Sequence, residues 1–250
     1  MKRWIAALLF LSLLFSFAAA EESFVFGQTE LGRDMNCVRI GAADAPKSIL
    51  LTFATHMFED AADFDGEYLI SIAEVLMAHY RTQEQTLGDW ALYFVPCVNP
   101  DAREEGFSNL DFGRLNAKGL DINRDFPEKW RYQSTKSSRT GDAPFATAEA
   151  RAIRDLVEQI HPTYAVDVHG WINGVYGYYP LARVFHQAFR IEVRDYSSGG
   201  MLAQWMNTVT QGAILLELPP KPAAEGYVDN IAGKMIEALD KWMLIEPEQS

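Results

Sequence analysis

Residues 48–60 read SILLTFATHMFED: an apolar, β-branched run that stops at His56, with Glu59 three places further on. A run this short, without polar alternation, has the character of a strand buried on both faces. Three other stretches share it: WALYFVPCV (90–98), TYAVDVH (163–169) and GAILLELP (212–219). Helical spacing of apolar residues marks the segments between and after them. DGEYLISIAEVLMAHY (65–80), ATAEARAIRDLVEQIH (146–161, followed by Pro162) and VDNIAGKMIEALDKWML (228–244) each predict an amphipathic helix, and His186 falls in a further one. Strands alternating with helices predict one α/β domain, a mixed, largely parallel central sheet with helices on both faces.

In such sheets ligands gather beyond the carboxyl ends of the strands. His56 and Glu59 follow the first run, Asn99 follows the second, His169 ends the third and Glu217 sits near the end of the fourth. These side chains are therefore expected to meet in space.

Composition narrows the setting. The first twenty residues, MKRWIAALLFLSLLFSFAAA, have a basic start, a short apolar core and small residues at Ala18 and Ala20, which is the pattern of a secretory leader cut after Ala20. The expected arrangement is a leader over 1–20 and one catalytic domain over 21–250, secreted or periplasmic. Across all 250 residues the net charge is −12, and loss of Lys2 and Arg3 deepens it by two. An acidic surface argues against nucleic acid or anionic lipid as a partner. No second segment is long and apolar enough to span a membrane, so no membrane association is expected once the leader is cut. Cys37 and Cys97 have two readings: one disulfide between them in an exported chain, or free thiols, since each lies in an apolar run where a buried free thiol is common; two cysteines are too few for a framework.

Each candidate has a plain structural reading beside the chemical one. A lone histidine after a strand is more often a hydrogen-bonded structural residue than a ligand. Two strand-terminal histidines with a glutamate, however, match a catalytic zinc site of three protein ligands and an open position. His79 and His161 have an easier reading, near helix C-termini where a cation meets the dipole favourably. Glu217, inside AILLELPP, would suffer a large desolvation penalty without a partner or a task, and a general base beside a metal is such a task. The polar stretch 101–142 lacks a strong period and reads as a long surface excursion, a kind of loop that is usually functional. It carries Arg114, Asn123 and Arg124, suited to gripping a carboxylate or holding charge on a carbonyl oxygen, although a solvated charged loop fits the same residues.

The ordered set HxxE, VNPD, R-x-N-x-x-G-x-D-x-N-R-x-F-P, a strand-terminal histidine, Y-x8-W and a strand glutamate resembles the carboxypeptidase A-like zinc peptidases. Within them it is most similar to the small bacterial branch of murein peptide amidases, the gamma-D-glutamyl-meso-diaminopimelate peptidases, which share VNPD, RLNAKGLDINRDFP and TGDAP. The blocks run from residue 50 to 220. The resemblance implies a zinc carboxypeptidase-like fold and one Zn²⁺ per chain on His56, Glu59 and His169. It makes Glu217 the catalytic glutamate, Arg114 the residue that polarises the scissile carbonyl, Asn123 and Arg124 the grip on the substrate's terminal carboxylate, and Tyr196 a mobile cap. Asp121 falls on a carboxylate that orients a zinc histidine. Three positions depart from the pattern. Phe58 replaces an extra arginine, Ala203 stands where members preferring basic residues have aspartate, and Asp125 replaces the usual asparagine.

The expected function is a monomeric, secreted or periplasmic zinc metallocarboxypeptidase that hydrolyses an amide next to a free carboxylate in a peptide or muropeptide. The alternatives are an N-acyl amino-acid deacylase of the aspartoacylase type, which shares HxxE and the N-R pair, and a wall-binding protein that keeps the fold without catalysis. No expected ligand or base is missing, which disfavours the latter.

Overall fold

All four apolar runs are strands, and they lie side by side in the centre of one sheet. β1 (Glu21–Gln28) and β2 (Asp34–Ile40) form an antiparallel hairpin that leads into β3 (Lys47–Phe53), β4 (Trp90–Val95), β5 (Tyr164–Gly170), β6 (Gly174–Gly177), β7 (Glu192–Arg194) and β8 (Gly212–Leu218). The order across the sheet is β1-β2-β4-β3-β5-β8-β6-β7. The β4-β3-β5-β8 core is wholly parallel, while β2 and β6 join it antiparallel from either side. The sheet is thus mixed and largely parallel. The computed structural model describes residues 21–59, 64–106, 113–220 and 222–245; the expected leader, 1–20, lies outside them.

Both faces are covered. Helices α1 (Gly66–Thr82), α4 (Tyr179–Phe189) and α6 (Tyr227–Ile245) bury their apolar sides with Ile49, Leu51, Val166 and Leu216 in one core. Helices α3 (Ala148–Ile160) and α5 (Leu202–Val209) close a second core around Leu50, Tyr93, Ala165 and Ala213. The two cores explain why these strands lack alternation: successive side chains point to opposite faces, and each face meets a helix layer. Every such fully buried Leu or Ile contributes roughly 1.5–3 kcal/mol relative to exposure. At the foot of the sheet Trp242 of α6 packs edge-on against Tyr164, ring centroids 5.0 Å apart.

The remaining helix, α2 (Pro100–Glu104), opens directly after β4. Asn99 caps it by accepting from Ala102 N–H at 3.2 Å, and its amide nitrogen lies 3.4 Å from the carbonyl of Leu115. Asn99 therefore holds backbone together and does not enter the site expected from its strand-end position. Cys37 and Cys97 are both free, and burial pushes each thiol up to about 12, so neither is a ready nucleophile. Among the described residues no helix is long and apolar enough to cross a membrane.

Candidate metal centre and active site

The parallel strands end at the same edge, and their ionisable termini converge there. His169 and Glu217 are cross-strand partners in the β5–β8 ladder. His56 and Glu59 follow β3, where Met57 and Phe58 N–H groups donate to the carbonyl of Gly113 at 2.7 and 3.2 Å. Glu59 is held from behind, since its N–H donates to Asp65 (2.7 Å), which also accepts from the Trp171 indole (2.8 Å).

His56 Nδ1 lies 3.1 Å from Glu59 Oε2, and His169 Nδ1 lies 2.7 Å from Glu59 Oε1. The candidate ligand atoms of the three residues all fall within 4.8 Å of one another. His56 Nδ1 is buried without a well-aligned hydrogen bond despite its nearness to Glu59. Two imidazole nitrogens aimed at one carboxylate, one of them orphaned, fit a cation between them, and the His₂Glu donor set suits zinc. Burial alone would raise Glu59's carboxyl, but the two imidazoles overcome it and hold the group well below the usual carboxylate range. Asp121 behaves similarly: burial opposes ionisation, yet His56, Arg124 and Arg114 keep it low, and it contacts His56 Nε2 at 3.0 Å.

Glu217 is the opposite case. Burial, reinforced by the nearby Glu59 carboxylate, pushes it up to about 8 from an ordinary 4.5. Its Oε2 is buried with no hydrogen-bond partner among the described residues. A desolvated, unpartnered carboxyl poised near neutrality suits proton transfer.

These groups line a cavity of about 620 Å³, together with Arg114, Asn123, Arg124, Tyr176, Tyr196 and Met201. Arg114 Nη1 lies 3.3 Å from Glu59 Oε2, and its Nε donates to the carbonyl of Ser137 at 2.8 Å. The Arg124 guanidinium donates to the Asn123 carbonyl at 2.7 Å, while its Nε has no partner among the described residues. Tyr196 stacks on Tyr176, ring centroids 5.8 Å apart, in the cavity wall. Ala203 joins Met201 and Leu215 in a small buried cluster packed by the same two tyrosines, so this wall carries no acidic group at the position that departs from the family pattern.

From residue 113 onward the excursion after β4 is a built support. Asn116 accepts from Lys118 and Leu120 N–H at 3.0 and 3.1 Å and donates to Glu149 at 2.8 Å, while Gly119 supplies the positive φ of +73° that the turn needs. Asp121 caps the short turn Ile122–Arg124 by accepting from Asn123 N–H at 2.9 Å. Asp125, uninterpreted from sequence, accepts from Ala146 N–H (3.0 Å), Thr147 N–H (2.8 Å) and the Thr147 hydroxyl (2.8 Å), tying Arg124 to the start of α3. Gly200 packs beneath it; a Cβ there would lie 2.6 Å from the Arg124 carbonyl oxygen, and its φ is +79°.

All eight expected site residues therefore line one cavity. Sequence reasoning missed Asp65, Tyr176, Met201 and Leu215, whose roles depend on distant partners, and Asp167, whose signal was its position two residues before His169.

A parallel sheet ending in a His, Glu, His cluster beside a raised carboxyl is the architecture of a zinc metallopeptidase. The chain belongs to the zinc carboxypeptidase family, whose model matches residues 16–241. In sequence it is 26% identical over 226 residues to bacteriocin BCN5 of Clostridium perfringens, covering 87% of this chain and 25% of the bacteriocin. It is 28% identical over 157 residues to murein peptide amidase A of Escherichia coli K12, covering 54% of this chain and 62% of the amidase. The chain thus spans under two thirds of either relative. In structure it is similar to carboxypeptidase A from Helicoverpa armigera (TM-score 0.74, 17% identity, 88% of this chain and 67% of that one). The murein-tripeptide amidase of Escherichia coli O157 also superposes (TM-score 0.62, 20% identity, 94% and 96%).

Proposed function

We propose that this chain is a zinc metallocarboxypeptidase that hydrolyses an amide bond next to a free carboxylate, acting outside the cytoplasm, with cell-wall peptides as its substrate class. The observation that carries the reading is Glu217: a buried carboxyl without a partner, raised to about 8, set in the ladder beside His169. His56 Nδ1, the Glu59 carboxylate and His169 Nδ1 would hold one zinc ion per chain. Bound there, zinc supplies a Lewis acid that favours deprotonation of water and polarises a carbonyl.

This chain's own residues do the rest. Glu217 takes the proton from the attacking water and returns it to the nitrogen of the leaving amine, so that water adds across the broken C–N bond and no net proton is consumed by the enzyme. Arg114 donates hydrogen bonds to the scissile carbonyl oxygen as negative charge builds on it. Arg124, with the Asn123 amide beside it, grips the carboxylate of the leaving residue and places its amide bond over Glu217. Tyr196 covers the bound residue. The leader pattern over 1–20 supports an extracytoplasmic site of action, and similarity to a murein peptide amidase supports the wall-peptide substrate.

The test compares a peptide, or muropeptide, bearing a free carboxylate with its amidated twin. Loss of a charge-assisted, two-pronged contact worth roughly 1.5–3 kcal/mol should lower kcat/KM by about tenfold to somewhat over a hundredfold. Arg124→Ala should cost as much with the free acid and little more with the amide, because the partner is already gone. Equal rates on acid and amide in the wild type would overturn the carboxypeptidase reading in favour of a deacylase or endopeptidase anchored elsewhere.

A further inference from the structure

The middle of β5 holds a carboxylate that the reaction above does not use. Asp167 is fully buried in YAVDVHG, an otherwise apolar strand, where an unpaired charge would cost several kcal/mol. It has two partners. Its Oδ1 accepts from the hydroxyl of Thr52 at 2.8 Å, and its Oδ2 lies 3.1 Å from His169 Nε2. Both contacts follow from the sheet: Thr52 is its cross-strand neighbour in the parallel β3–β5 ladder, and His169, two residues on, projects from the same face.

We propose that Asp167, braced by Thr52, is a positioning residue that holds the Nε2 proton of His169, so that Nδ1, which faces Glu59 at 2.7 Å, is the nitrogen free to serve the metal when zinc binds; the inference rests on the zinc-site reading. An imidazole that gives Nδ1 to a metal must carry its proton on Nε2, and a buried N–H needs an acceptor. Two groups lie within reach of Nε2: Asp167 Oδ2 at 3.1 Å and Asn123 Nδ2 at 3.3 Å. The second is an amide nitrogen, a donor only, and its identity is settled at the other end, where Asn123 Oδ1 accepts from Leu202 N–H at 2.9 Å. Asp167 is the one that can take the proton. His56 has the same arrangement through Asp121, which comes from the excursion instead of the sheet. A consequence follows for the substrate side. With Nε2 satisfied by Asp167, the Asn123 amide hydrogens have no acceptor on His169 and are left for a ligand in the cavity.

The test uses the mature full-length protein and zinc. Asp167→Asn keeps the shape and removes the charge. Its zinc dissociation constant, measured by chelator competition, should rise by about tenfold to a hundredfold, as for other acceptors behind metal-bound histidines, with a shifted visible absorption band in the cobalt-loaded protein. Thr52→Val removes the brace at constant shape and should weaken zinc about threefold or more, while Thr52→Ser, which keeps the hydroxyl, restores it. A purely structural Asp167 would leave metal affinity and the cobalt spectrum unmoved. Zinc affinity within twofold of wild type in both Asp167→Asn and Thr52→Val overturns the inference; if Asp167→Asn does not fold, the Thr52 pair decides by the same criterion. Failure of the wild type itself to bind zinc would bring down the metal-site reading and this inference together, an outcome distinct from normal binding in the variants.

Discussion

Glu217→Gln should make the metal-free protein more stable as well as catalytically dead. The wild-type carboxyl stands at about 8 in the folded chain against 4.5 ordinarily, because burial and Glu59 disfavour its charge. The sign is set by linkage: below 4.5 the group is protonated in both folded and unfolded chains and costs nothing, whereas between 4.5 and 8 only the unfolded chain releases the proton, so stability falls as pH rises. At about 1.4 kcal/mol per pH unit, the penalty grows by roughly 2–3 kcal/mol between pH 5 and pH 7. Gln has no proton to lose and escapes that penalty. In urea titrations with a chelator present, the variant's advantage over wild type should widen by that amount across the interval, equivalent to roughly 4–12 °C in Tm for a chain this size. Zinc should shrink the gap, because a dication nearby favours the charged carboxylate. Turnover of the zinc-loaded variant should fall by something on the order of a hundredfold to ten-thousandfold. A stability difference that stays flat with pH would refute the argument, since it would mean that Glu217 is solvated or partnered in the folded chain.

Two further outcomes follow from the site's construction. His169→Ala should sharply reduce zinc content from about one ion per chain, measured by metal analysis after dialysis, because two ligands hold a catalytic zinc far less well than three; full occupancy would reject the ligand assignment. Asp125→Ala strands three donors, the Ala146 and Thr147 N–H groups and the Thr147 hydroxyl, and should cost about 2–4 kcal/mol in urea unfolding while raising KM through the displaced Arg124; unchanged stability would show that water replaces the carboxylate freely.

The central strands could be read directly because each is buried on both faces and so appears as an unbroken apolar run. The outer strands, β1 and β2 on one side and β6 and β7 on the other, could not. In β2 buried Met35 and Cys37 alternate with exposed Asp34 and Asn36, and β7 is three residues long, too short for any period to register. The same contrast holds in the site. His56, Glu59, His169 and Glu217 stood out as ionisable ends of apolar runs, and Asn99 looked equivalent until the backbone around it claimed its side chain as a helix cap.

The sequence by itself determined the α/β alternation, the family and the roster of candidate ligands, since these depend on residue types and spacing along the chain. Only the tertiary structure decided which nitrogen of each imidazole faces Glu59 and the candidate metal position. That choice depends on where an acceptor sits in space. Asp121, 65 residues from His56, and Asp167, braced by a threonine 115 residues away, fix it through hydrogen-bond directions that exist only once the strands are laid side by side.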